Sequence, residues 1–154
     1  MRRYWWNLSA DRHDAAWAAA APHPDAVRVP VGELLDADSP RSAGVDAAHV
    51  RALAETDARL PPLLVHRESM RVVDGMHRLA AARRNNQSDV EVRFFSGSSE
   101  DAFLMGVRAN VTHGMPLKPA DRRAAAVRII GTHPRLSDRA VARATGIAAR
   151  TVAA

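Results

Sequence analysis

The sequence predicts a small mixed-sheet α/β domain followed by an all-α helix-turn-helix domain, and three observations predict it. Between Val27 and Val107, short β-branched runs alternate with helical stretches, the pattern of an α/β domain. Beyond Met115 that alternation gives way to helix signals opened by Pro116 and Pro119. The charge divides near the same place: residues 1–117 carry 14 basic and 15 acidic side chains, whereas residues 118–154 carry 8 basic and 2 acidic. The net charge of +5 therefore belongs to the C-terminal segment. Such a segment suits a polyanion, nucleic acid above all; the plainer alternative is a solvated, arginine-rich helix surface.

Composition sets the outer bounds. A chain of 154 residues with 47% hydrophobic content can bury one ordinary core and a small appendage. Absence of cysteine excludes a disulfide framework and thiolate chemistry, and seven scattered histidines give no zinc-ligand spacing, so no metal site is expected. No stretch approaches the roughly eighteen apolar residues of a membrane span. The early alanine-rich stretch carries Asp11, Arg12, His13 and Asp14 rather than a signal-peptide pattern, so the expected location is cytoplasmic, without membrane contact.

The elements follow in order. Residues 1–25 form an alanine-rich, partly helical extension with Tyr4, Trp5, Trp6 and Trp17, closed by Pro22 and Pro24. The aromatic group in it reads as a packing or dimer contact. Residues 26–115 form the α/β domain. In it Val27, Val29 and Val31 alternate as a strand, and a loop with Pro40 and Arg41 leads to a helix from about Asp46 to Thr56 with Val50, Leu53 and Ala54 inward. Pro61 and Pro62 open the strand LLVH, which turns at Glu68–Met70 and returns as RVVDG. A helix from Met76, the strand VEVRFF, a Ser98-Ser99-Glu100 cap and a helix with Phe103, Leu104 and Val107 inward complete it.

Residues 116–154 form the second domain. Ala120 to Ile130 is a helix whose Ala124, Val127 and Ile130 share a face. Ser137 caps the helix DRAVARAT, Gly146 supplies a turn, and IAARTVAA starts another helix. Ala142 suits the helix crossing, Gly146 a left-handed turn, and Ile147 and Val152 the small core between the two helices. An ordinary helical pair would need none of that spacing. In a helix-turn-helix, the second helix, starting near Ala148, turns Arg150 and Thr151 towards the major groove, with Arg139 and Arg143 nearer the phosphates. Arg150 is the best base reader, because its guanidinium can bridge two acceptors on guanine. The chain stops at Ala154, seven residues into that helix, and so reads as truncated.

One stretch points to a ligand. In VVDGMHRLAAARR, Val72 to Arg84, a strand ends at Gly75 and restarts as a helix. The free N–H groups and positive dipole end of that helix then face one spot beside His77 and Arg78, which suits an anion and above all a phosphate. A plain strand-to-helix turn with a solvated arginine is the alternative. Asp74 reads as a cap or as the partner of Arg78.

The ordered set PPLLVH, DGMHRLAAA, ANVTHGMPLKPADR and SDRAVARATGIAARTV, covering some 130 residues from about Val27, resembles the ParB/sulfiredoxin-like superfamily followed by a helix-turn-helix. It is most similar to StrR-like activators of antibiotic biosynthesis. The resemblance implies a nucleotide-phosphate site at the glycine turn, with CTP or ATP and Mg²⁺ as the ligand, and sequence-specific binding of double-stranded DNA. It further implies a homodimer on an inverted-repeat operator, with more chain following in such proteins.

Carried across, the GERRxRA box of CTP-binding ParB proteins becomes Gly75-Met76-His77-Arg78-Leu79-Ala80-Ala81, keeping Gly75, Arg78 and the last alanine. The ENxxR box becomes Ala109-Asn110-Val111-Thr112-His113, keeping Asn110 but losing the metal-side glutamate. His77-Arg78 is also similar to the GCHR turn of sulfiredoxins and the GHHR-type turn of ADP-dependent serine kinases. A sulfiredoxin activity is excluded, because its cysteine falls at Met76. His49, at a nucleotide-contacting position of sulfiredoxins, Arg41 in the SPRSAG loop, and His113 are further candidates. The plainer roles for these three are an exposed helix position, a surface-loop residue and a helix end. No catalytic residue is assigned. The alternative class is a nucleotide-dependent enzyme, either a ParB-type CTPase or a serine-kinase-like phosphotransferase, for which Asp74 is the one acidic residue in the motif.

Overall fold

The computed structural model describes residues 26–112 and 115–154. Tyr4, Trp5, Trp6, Trp17 and the rest of the N-terminal extension, together with His113 and Gly114, lie outside the described residues. The chain divides into an α/β unit, comprising the described residues up to Asp38 and Val45–Gly97, and a helical unit, comprising Ser39–Gly44 and Ser98–Ala154. The helical unit starts at Ser98 rather than at residue 116 because the helix that follows Ser98 buries its apolar face among the later helices.

In the α/β unit, β1 (Val27–Pro30), β2 (Leu63–His66), β3 (Val72–Asp74) and β4 (Asp89–Phe95) form one mixed sheet in the order β1, β4, β2, β3. β4 runs antiparallel to β1 and parallel to β2, while β2 and β3 form an antiparallel hairpin. Helices α1 (Ala47–Glu55) and α2 (Met76–Arg84) accompany it, α2 carrying the chain from β3 to β4. The proline at the end of β1 is tolerated because β1 is an edge strand. Interior β2 is buried at every position, which is why LLVH lacks alternation, whereas β4 alternates with Val90 and Val92 inward. Leu79 and Ala82 of α2 pack with Val65, Val72 and Val92 in this core. Burial of each such leucine or valine contributes about 1.5–3 kcal/mol.

His66 closes the hairpin. Its Nε2 donates to the carbonyl oxygen of Gly97 at 2.7 Å, which leaves Nδ1 to accept from the Ser69 hydroxyl at 2.8 Å. A buried histidine with both ring nitrogens satisfied is a structural pin between the turn and the end of β4.

The helical unit contains α3 (Ser99–Thr112), α4 (Pro119–Thr132), α5 (Asp138–Thr145) and α6 (Ala149–Val152). The Ser98 hydroxyl accepts from the N–H of Asp101 and caps α3 as expected. Beside it, hydrogen bonds from its own backbone N–H and from the Ser99 hydroxyl hold the Glu100 carboxyl below its ordinary range. Phe103, Leu104 and Val107 of α3 pack with Ala125, Ala126 and Ile129 of α4 and with Val141 and Ala144 of α5. Ile147 and Val152 are partly buried against the same core.

Ala124, Val127 and Ile130 do share a face of α4, and that apolar face points outward: Val127 is 72% and Ile130 44% exposed. The buried stripe is Asp121, Ala125 and Ile129, joined by Ala126. Both rows are helical in period, and the polar Asp121 at the head of the true inner row hides it in the sequence.

Candidate functional site

The glycine turn of the α/β unit has the geometry its sequence suggests. Gly75 has φ +110°, a left-handed backbone that L side chains rarely adopt, and caps α2. A Cβ there would lie 3.0 Å from Leu63 Cγ and 3.1 Å from the Arg78 guanidinium, so the space is closed as well. Met76 turns its sulfur towards the N–H of Ala37, an acceptor at 3.3 Å, and packs against the sheet core. Its backbone, rather than its side chain, belongs to the turn.

His77 ties the starts of α1 and α2 together. Its Nε2 accepts from the N–H of Asp46 at 3.0 Å, and the Asp46 carboxylate accepts from the N–H of His49 at 2.7 Å, capping α1. The His49 and His77 rings meet edge to face with centroids 4.9 Å apart. Two helix N-termini thus lie side by side with two imidazoles, and the Asp46 carboxylate already meets the partial positive charge of one of them. Asp46 is not among the residues singled out from sequence, although an aspartate directly before a helical run is an N-cap signal.

Arg78 is turned to another task. Its Nη1 donates to the carbonyl oxygens of Pro61 at 2.7 Å and Pro62 at 2.8 Å, and its Nη2 pairs with Asp74 at 3.3 Å. The guanidinium, with only 17% of the side chain exposed, braces the entry of β2 against the exit of β3. Asp74 is its partner. A cavity of about 370 Å³ in the same unit is lined by Arg78 with Leu53, Pro61, Leu63, Ala81 and Val90, but not by Gly75, His77 or His49.

Arg41 and Asn110 meet in the helical unit. Arg41 donates to Asn110 Oδ1 at 3.1 Å and to the carbonyl oxygens of Met115 and Pro116, while Asn110 donates to the carbonyl oxygen of Gly106. Next to it the N–H of Ser42 approaches the buried carboxylate of Asp121 at 3.4 Å. The structure therefore brings His49, Gly75, Met76, His77 and Arg78 together in one unit and pairs Arg41 with Asn110 in the other; His113 is outside the described residues. Among the described residues no group of three or more histidines, aspartates and glutamates could hold a metal ion.

The candidate nucleic-acid surface lies at the C-terminal end. Ser137 caps α5 by accepting from the N–H of Ala140, and Gly146, φ +71°, ends it with its N–H on the carbonyl oxygen of Ala142 at 2.8 Å. Ala148 precedes α6 in extended conformation. Val141, Ala144 and Thr145 are buried, while Arg139, Arg143, Ala148, Arg150 and Thr151 are all exposed. The sequence reading omits Arg122, whose guanidinium reaches the carbonyl oxygens of Leu117 and Gly146. That contact follows only from the packing of the helices and has no local signature. Among the described residues no helix is long and apolar enough to cross a membrane.

No protein-family model matches the chain. It is 52% identical over 124 residues to the "Streptomycin biosynthesis operon possible regulatory protein" of Streptomyces griseus, an alignment spanning 80% of this chain and 35% of that protein. With the transcriptional regulator NovG of Streptomyces niveus it shares 49% identity over 126 residues, 82% of this chain and 40% of that one. The chain thus spans well under half the length of these relatives. Among solved structures, the C-terminally truncated chromosome-partitioning protein ParB of Caulobacter crescentus complexed to the centromeric parS site superposes with TM-score 0.61 at 20% identity, over 82% of this chain and 68% of that one. The same ParB complexed with CTP-gamma-S gives TM-score 0.52 at 19% identity, over 84% and 75%. These likenesses show a ParB-like fold.

Proposed function

This chain is ParB-like in fold and StrR-type in sequence, and from that premise we propose that it is a sequence-specific DNA-binding transcriptional regulator acting in antibiotic or other secondary-metabolite biosynthesis. The observation that carries the reading is the pair α5 and α6 around Gly146. Their apolar residues turn inward, and Arg139, Arg143, Arg150 and Thr151 are left exposed on the most basic stretch of the chain. In this reading α5 and α6 form a helix-turn-helix. Arg139 and Arg143 take phosphates, and Arg150 takes the O6 and N7 acceptors of a guanine. The relatives, one named as a possible regulatory protein of a streptomycin biosynthesis operon and the other as a transcriptional regulator, and the ParB solved with its parS site support DNA as the partner. A homodimer on an inverted repeat follows if the two half-sites mirror a two-fold axis.

The same proposal gives the glycine turn a nucleotide phosphate, held by the backbone N–H groups that open α2 and by His77 and His49. CTP and ATP both offer that group, and the ParB solved with CTP-gamma-S supports the first. A Mg²⁺ ion would travel with the nucleotide, since among the described residues no group of three or more histidines, aspartates and glutamates could hold it. Arg78 contributes by shaping the turn. Asp74, the base a phosphotransferase would use, is paired with Arg78, so the regulator reading takes precedence over an enzyme.

Enrichment of a random duplex pool on the 154-residue chain tests the DNA-binding reading. A recurring half-site, lost with Arg150→Ala, is the expected result; retention of the pool without preference would overturn it. Calorimetric titration with CTP and ATP, with and without Mg²⁺, tests the phosphate turn. Saturable heat that disappears in His77→Ala, in a sample that circular dichroism shows still folded, supports it, and no heat from a folded wild-type sample removes it.

A further inference from the structure

Arg122, in the first turn of α4, joins two backbone carbonyls that are 29 residues apart in sequence. Its Nε donates to the carbonyl oxygen of Leu117 at 3.1 Å and its Nη1 to that of Gly146 at 3.2 Å. Leu117 is a fixed point: it is 3% exposed, and Arg41 holds the two carbonyls before it. Gly146 is the left-handed turn residue between α5 and α6, with its N–H already on Ala142. A Cβ at Gly146 would come within 3.2 Å of Arg122 Nη1 and 3.4 Å of Val111 Cγ1, so the turn rests directly on these two side chains.

We infer that Arg122 is a positioning residue for base reading, setting the angle at which α6 leaves the turn; this rests on the DNA-binding proposal above. Two donors on one rigid guanidinium plane fix two acceptors relative to each other, which a lysine ammonium, a single flexible point charge, does not do. The positive charge also faces the carbonyl end of α5, where a cation is favoured. Arg150 lies four residues beyond Gly146, so a small rotation at the turn moves its guanidinium across the groove. Bidentate recognition tolerates displacements of only about 0.5 Å and about 10–20°. Arg122 therefore acts on sequence preference through Gly146, without touching DNA.

The test compares wild type, Arg122→Lys and Arg122→Ala for binding to a duplex enriched by the wild-type chain and to an unrelated duplex at low salt. The expected result is that both variants lose about tenfold in preference for the enriched duplex, the scale of a charge-assisted hydrogen bond. Arg122→Lys should keep binding to the unrelated duplex, with an unchanged salt slope. Three results overturn the inference: Arg122→Lys reads the enriched duplex like wild type; Arg122→Ala lowers the salt slope by about one, the mark of a direct phosphate contact; or both variants lose helical circular dichroism. Failure of the wild-type chain to enrich any duplex removes the DNA-binding reading itself, and is seen before any variant is made.

Discussion

Arg78 Nη1 stands 2.7 Å from the carbonyl oxygen of Pro61, and that contact ties the first turn of α2 to the chain entering β2. The paired prolines that open β2 have no N–H to offer, and Arg78 takes the carbonyls of both while its other nitrogen meets Asp74. A residue that resemblance marks for ligand contact thus works here as a brace between two strand ends.

Arg78→Ala should therefore destabilise the α/β unit by about 1.5–3 kcal/mol, the range for hydrogen bonds to a charged group that leave partners unmet. Urea denaturation followed by fluorescence or circular dichroism reads this directly. A variant as stable as wild type would return Arg78 to a purely ligand-binding role.

Gly75→Ala should cost about 1–3 kcal/mol, because alanine at φ +110° is strained and its Cβ meets Leu63 and Arg78. Gly44, φ +69°, provides the comparison: nothing lies within 4 Å of its Cβ position, so Gly44→Ala carries backbone strain alone. The difference in unfolding midpoint between the two variants measures the closeness of the turn.

Ile129 and Ile130 are adjacent in sequence and opposite in environment, the first fully buried and the second 44% exposed. Ile129→Ala should lose about 2–5 kcal/mol, the cost of a core cavity. Ile130→Ala should stay within about 0.5 kcal/mol, as surface changes do. Equal losses would mean that the outward face of α4 is covered in solution.

Much of this fold was legible because its elements carry local signals. The valine runs, the Ser137 cap, Gly146 and the strand–Gly75–helix junction each impose a backbone state on their own neighbourhood. The turn at Gly75 was legible for the same reason, and of the two roles open to Asp74, a cap or the partner of Arg78, the structure shows the second. What stayed hidden depends on distant chain segments. Nothing local distinguishes the 121/125/129 row of α4 from the 124/127/130 row until α3 and α5 pack against it. The bonds from Arg78 to Pro61, from Arg41 to Asn110 and from Arg122 to Gly146 span 17, 69 and 24 residues. No periodicity encodes them.

Arg150→Ala should cost about 1–3 kcal/mol against the preferred half-site and relax preference at one base position, whereas Arg139→Ala should weaken binding evenly across sequences and lower the salt slope by about one. Fluorescence anisotropy over a range of salt concentrations separates the two effects. Interchanged behaviour would reverse the assignment of base reader and phosphate contact.

The central claim is that the end of the chain meets DNA, and amide chemical-shift mapping of the ¹⁵N-labelled chain during titration with a short duplex tests it most directly. The account predicts shifts that saturate and cluster from Ser137 to Ala154, with Arg139, Arg143, Arg150 and Thr151 among the largest. Saturating shifts confined to the sheet and to α1 and α2, or no shifts at low salt, would contradict it.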